Sequence, residues 1–183
     1  MAEIKPALPV KYFVAVLYRE EEYLDKARIL MENAWGRIDI EGNAHLFDVT
    51  EYYKPEMGSP IFRRLCSFEK LQLPTFLVEM KIRCNQMEQQ LSIDGKRTVN
   101  LDAGYLDHNK VVLASAKEAG QKIYLDRGIY ADLAGRYKSG KYQPFEWSFP
   151  DFRDGRYDQE LLAIRKKCMV QVREFLKSKA VIE

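Results

Sequence analysis

At 183 residues the chain can bury about two thirds of its unfolded surface in one core, and a composition of 46% hydrophobic and 31% charged residues excludes a disordered or low-complexity protein. Lys and Arg number 29 against 27 Asp and Glu, so bulk attraction to a polyanion is excluded as the basis of function. Cys66, Cys84 and Cys168 lie far apart with no C-x-x-C pair, and His45 and His108 are the only histidines, which together exclude a disulfide framework, a thiolate zinc site and a His-rich metal centre.

The opening "MAEIKPALPVKYFVAVLY" carries a short apolar run, no small-residue cleavage site and nothing near the length of a membrane span, which predicts a cytosolic (cytoplasmic) protein. "KYFVAVLY" (11 to 18) reads as a central strand buried on both faces. From Glu20 to Trp35, Leu24, Ala27, Met31 and Ala34 recur at helical steps, with Glu20 to Glu22 at the positive end and Gly36 as the stop. "HLFDVTEYY" (45 to 53) is rich in aromatic and β-branched types and reads as a strand, followed by a loop over "KPEMGSP" (54 to 60).

"TFLVEMKIRC" (75 to 84) fits two templates equally. Phe76, Val78, Met80, Ile82 and Cys84 alternate, while Leu77, Met80, Cys84, Met87 and Leu91 follow a helix. We read a strand to Cys84 and then a short helix, because Asn85-x-x-Glu88 resembles a capping box. After an Asp94-Gly95 turn, "KRTVNLD", "KVVLAS" (110 to 115) and "QKIYLDRGIYADL" read as a meander of short antiparallel strands. From Asp158 onward, Leu161, Ile164, Cys168, Val172 and Phe175 mark one face of a long C-terminal helix. The expected fold is therefore α+β: a single domain over 1–183, a mainly antiparallel (mixed) sheet, an early helix and a long terminal one.

"YYKPEMG" (52 to 58), "NLDAGYL" (100 to 106), "VLASAKEA" (112 to 119), "KIYLDRGIYADL" (122 to 133) and "WSFPDF" (147 to 152), in this order, resemble the prokaryotic family catalogued as domain of unknown function 4416. The family pattern commonly has proline at Ala103, threonine at Ala116 and glutamate at Asp132. The resemblance implies a one-domain architecture and carries no catalytic residues. Some members bear a GTP-binding label, but this chain has no G-x-x-x-x-G-K-[ST] phosphate loop to support it.

Three constellations are candidates for chemistry. Asp48, Glu56 and Asp102, near predicted strand ends, form a candidate catalytic set, and Asp48 with Asp102 could hold Mg²⁺, a hard cation that prefers such oxygens. Taken alone, Asp102 reads as an Asx turn that lets Gly104 take a positive φ. Arg63, Lys81 and Lys117 are candidate phosphate ligands, with a solvated charged face as the plain alternative. Trp147, in the aromatic stretch "YQPFEWSFPDF" (142 to 152), could stack a base or lie as a lid on the core. The leading expectation is a protein that binds or processes a phosphorylated small molecule or nucleotide. An RNA- or protein-binding module and a structural homo-oligomer subunit are the alternatives.

Overall fold

The computed structural model describes residues 3–180. Its centre is β1 (Lys11–Tyr18), in which all eight residues are buried, as a continuous apolar run between two covered faces requires. Tyr12, Val14, Val16 and Tyr18 face one layer of helices, α1 (Glu21–Trp35) and α3 (Leu77–Gln90); Phe13 and Ala15 face α5 (Asp158–Ala180) on the other side. The remaining elements are β2 (Ile38–Glu41), β3 (His45–Leu46), α2 (Lys54–Met57), β4 (Phe62–Phe68), β5 (Val99–Leu106), β6 (Lys110–Ser115), β7 (Ile123–Asp126), β8 (Ile129–Lys138), β9 (Lys141–Pro144) and α4 (Pro150–Arg153).

The strands form one nine-stranded sheet in the order β2-β4-β1-β5-β6-β8-β7, with β3 on β4 and β9 on β8, and every pairing is antiparallel. The expected α+β class, early helix and terminal helix all stand. Leu161, Ile164 and Cys168 seat α5 on the sheet, and Lys11 ties it there: its buried ammonium bonds Asp39 at 2.5 Å and Gln171 at 2.8 Å, while Lys167 reaches Asp39 at 3.2 Å. All three cysteines are free and buried. Among the described residues no helix is long and apolar enough to cross a membrane.

Three expectations are corrected. The segment 75 to 84 is not a strand: a 3-10 turn at Pro74–Phe76 leads into α3, which runs unbroken to Gln90. The buried stripe Leu77, Met80, Cys84 and Met87 settles the tie, and Pro74 just ahead of the helix was the overlooked start signal. Asn85 and Glu88 are helix-interior residues, and Glu88 performs another task. The β5–β6 ladder runs from Leu106↔Val111 only as far as Gly104↔Leu113, so Leu101 has no strand partner on that edge. Glu88 accepts the Leu101 N–H at 2.6 Å and Lys81 donates to the Leu101 carbonyl at 3.1 Å, so two side chains of α3 replace a strand.

In 45 to 53 only His45 and Leu46 pair, with Arg63 and Phe62. Phe47, Val49 and Tyr53 instead pack with Leu17, Met57 and Ile61 as a plug over the end of β1, so their aromatic richness reflects burial and not pairing. Finally, Asp102 makes no turn. It stands inside β5 opposite Ala15, and Gly104 has ordinary strand backbone. Glycine is required at 104 for space, since a Cβ would stand 2.8 Å from the Val112 carbonyl oxygen and 2.9 Å from the Phe13 ring.

Candidate ligand-binding site

The register of β4, β1 and β5 builds the first half of the site. Leu17 pairs with Arg63 on one side and Asn100 on the other, and Ala15 pairs with Asp102, so all five share the α5-facing side. The small Ala15 leaves room for the Arg63 guanidinium to cross β1 and donate to Asp102 Oδ2 at 2.9 Å. Its other arm donates to Asp151, from α4, and Tyr157 donates to the same carboxylate oxygen at 2.9 Å. Phe47 lies 4.7 Å from the guanidinium carbon on a ring face. Burial works against the charge on Arg63, but Asp151 and Asp102 outweigh it and hold its pKa above the ordinary value. Asp102 remains 18% exposed, whereas Arg63 and Asp151 are fully enclosed.

The second half begins where β5 does. Arg97 clasps Glu56 with Nε and Nη2, at 3.0 and 2.6 Å, and its Nη1 donates to Asn100 Oδ1 at 2.8 Å. That hydrogen bond and charge hold Glu56 below the usual carboxylate range. Tyr53 stands between the halves: the Arg97 guanidinium is 5.5 Å from its ring, and burial, followed by the charge of Asp102, pushes its phenol up to about 12.

Beside Arg97 a cleft of about 270 Å³ opens between the start of α1 (Arg19, Glu20, Tyr23), α2 (Glu56, Met57) and the approach to β5 (Ile93, Asp94, Lys96, Arg97, Thr98). Its shape has local causes. Asp94 and Gly95 both take positive φ, 50° and 73°, closing a two-residue turn whose flanks Ile93 and Lys96 exchange backbone hydrogen bonds at 2.9 Å. The turn sets Asp94 and Lys96 at one rim. Opposite, Arg19 lies flat over Gly58 (φ 80°), where a Cβ would be 2.6 Å from Nη1, so a larger residue there would push Arg19 aside.

The candidate residues of the sequence fall as follows. Arg63 and Asp102 are brought together, and Glu56 lines the cleft. Asp48 is exposed and pairs with Arg156 at 3.0 Å. Lys81 is buried under β5, and Lys117 is exposed with its ammonium 5.2 Å from the Tyr52 ring. Trp147 stacks parallel on Phe145 at 4.8 Å and donates Nε1–H to the Leu133 carbonyl, on the β8 side of the sheet. The three acids therefore face three different arginines. Among the described residues no group of three or more His, Cys, Asp or Glu side chains could hold a metal ion. Arg19, Lys96 and Arg97 were missed; the Asp94-Gly95 turn was legible, and its flanking cations were the available signal.

Fold and cleft together define a one-domain α+β protein with a cleft lined mainly by charged groups. The family model described as "Domain of unknown function (DUF4416)" matches residues 8–168, and the chain belongs to that family. No match was found among curated proteins or solved structures.

Proposed function

We propose that the protein binds a phosphorylated small molecule, a metabolite or nucleotide, in the cleft between α1, α2 and the start of β5. The observation that carries this reading is the convergence of Arg19, Lys96 and Arg97 on one concavity. Arg97 is already engaged by Glu56 and Asn100, whereas Arg19 stands 3.7 Å from Glu20 and Lys96 makes no ion pair among the described residues. Arg19 and Lys96, held by backbone turns and packing with no tight partner of their own, suit an incoming phosphate because little must be rearranged on binding.

The test is a thermal-shift panel of nucleotides, sugar phosphates and polyphosphate, each with and without Mg²⁺, on the full chain. A ligand at a hundred times its Kd adds about 2.7 kcal/mol, several degrees for a domain of this size. Lys96→Ala should remove most of that shift while leaving the unliganded Tm within about 1 °C, since Lys96 is exposed. A well-folded protein that responds to none of the panel would sink the reading. The aromatic ledge of Trp147 and Phe149, 39% and 47% exposed, would then be the place to seek a macromolecular partner.

A further inference from the structure

We infer that the cleft selects a sugar phosphate, with the phosphate on Arg19 and Lys96 and the sugar hydroxyls on Glu20 and Asp94; this rests on the phosphate reading above. The wall carries both kinds of group that such a ligand needs. Arginine and lysine only donate and suit phosphate oxygens, whereas an ionised carboxylate only accepts and suits a hydroxyl hydrogen. For a bare phosphate or a polyphosphate, Glu20 and Asp94 would be a pure repulsion. Glu56 is unavailable for this role because Arg97 occupies both of its oxygens. Glu20 is only loosely engaged, 3.7 Å from Arg19 Nε, and Asp94 makes no ion pair among the described residues.

Size and aromatic content point the same way. The cleft, at about 270 Å³, lies just under the roughly 300 to 1,000 Å³ of sites for drug-sized ligands, which suits a monosaccharide phosphate better than a nucleotide. Tyr23 is the one aromatic on the wall, and Lys26 already stands 5.4 Å from its ring, leaving a base little to stack on. The Asp94-Gly95 turn, closed by the backbone hydrogen bonds of Ile93 and Lys96, sets an acceptor and a cation two residues apart on the same wall of the cleft.

Isothermal titration of the full chain with ribose 5-phosphate, glucose 6-phosphate, inorganic phosphate, free ribose and AMP tests this. A sugar phosphate should bind at least about tenfold tighter than inorganic phosphate or free sugar, and AMP no tighter than ribose 5-phosphate. Asp94→Asn and Glu20→Gln should each lower the ratio of sugar-phosphate to phosphate affinity about five- to tenfold, while phosphate alone binds slightly tighter as repulsion is relieved. Equal binding of phosphate and sugar phosphate, or tighter binding of AMP, overturns the inference and leaves the phosphate reading intact. Binding of none of them overturns both. The two acids are exposed, so the variants should fold; if one does not, the ratio measured on the unaltered chain decides.

Discussion

Asp102 illustrates how a residue's role changes with its neighbours. One guanidinium, Arg63, serves both Asp102 and Asp151 inside the protein, so the cluster holds one negative charge more than its positive charge. Arg63→Met would leave Asp151 buried without its cation; we expect a loss of about 3–5 kcal/mol, or roughly 6–20 °C in Tm. Asp102→Asn keeps an oxygen for Arg63 and makes the cluster neutral, so its Tm should stay within about 2 °C of the parent. Thermal melts of the two variants side by side decide whether Asp102 is an anchor of the fold. A collapse of Asp102→Asn to the level of Arg63→Met would show that its charge, despite partial exposure, is structurally required.

At the scale of elements, α3 does more than cover a face of the sheet. Where β6 diverges from β5, the helix lends Glu88 and Lys81 to the Leu101 backbone, which would otherwise be a buried, unpaired amide. Burial pushes the Glu88 carboxyl up, with Lys81 opposing it. Glu88→Ala should therefore cost about 1–3 kcal/mol and, more tellingly, should release the Leu101 amide to hydrogen exchange well before its neighbours on the β1 side. If Leu101 stays as protected as Asn100 and Asp102, whose amides face β1, the side chain is not the partner the geometry assigns. Lys81 is polar in type yet faces the core, because its target is a carbonyl beneath the sheet.

For the whole molecule, buried ion pairs set the response to acid. Burial pushes Asp39, Asp107 and Glu160 up, but hydrogen bonds from Lys11 and Ser67, from Lys110, and from His45 outweigh it, and all three are held below the ordinary range. A carboxylate lowered in the folded state stabilises fully above its unfolded value near 4 and loses that contribution as pH falls through the folded value. Glu88 and Asp132, raised by burial, act with the opposite sign and gain stability as pH falls toward 4. Tm should thus change little from pH 7 to 5 and fall steeply below about 4. In a Lys11→Met, Asp39→Asn double variant, which removes the buried pair together, the neutral-pH Tm should move little and the acid slope should become shallower. A pH profile unchanged by the double variant would show that the acid transition arises elsewhere.

The sequence by itself determined the central strand, both long helices, the antiparallel meander after the Asp94-Gly95 turn, and the family, because local periodicity, glycine turns and ordered motifs are properties of neighbouring residues. It misassigned 75 to 84 as a strand, since alternation and helical spacing coincided there and only burial against β1 and β5 could separate them. Tertiary structure alone decided which charges meet. Asp102 and Asp151 are 49 residues apart yet share Arg63, because β1 places an alanine opposite Asp102 and leaves Arg63 room to reach across; Arg19 and Lys96 share a cleft because Tyr18, at the end of β1, pairs with Val99, at the start of β5, which brings the start of α1 and the 93–96 turn to the same end of the two strands. Side-chain partnerships across strands depend on register and on the small residues that leave room for reach. Neither is written in the spacing of charges along the chain.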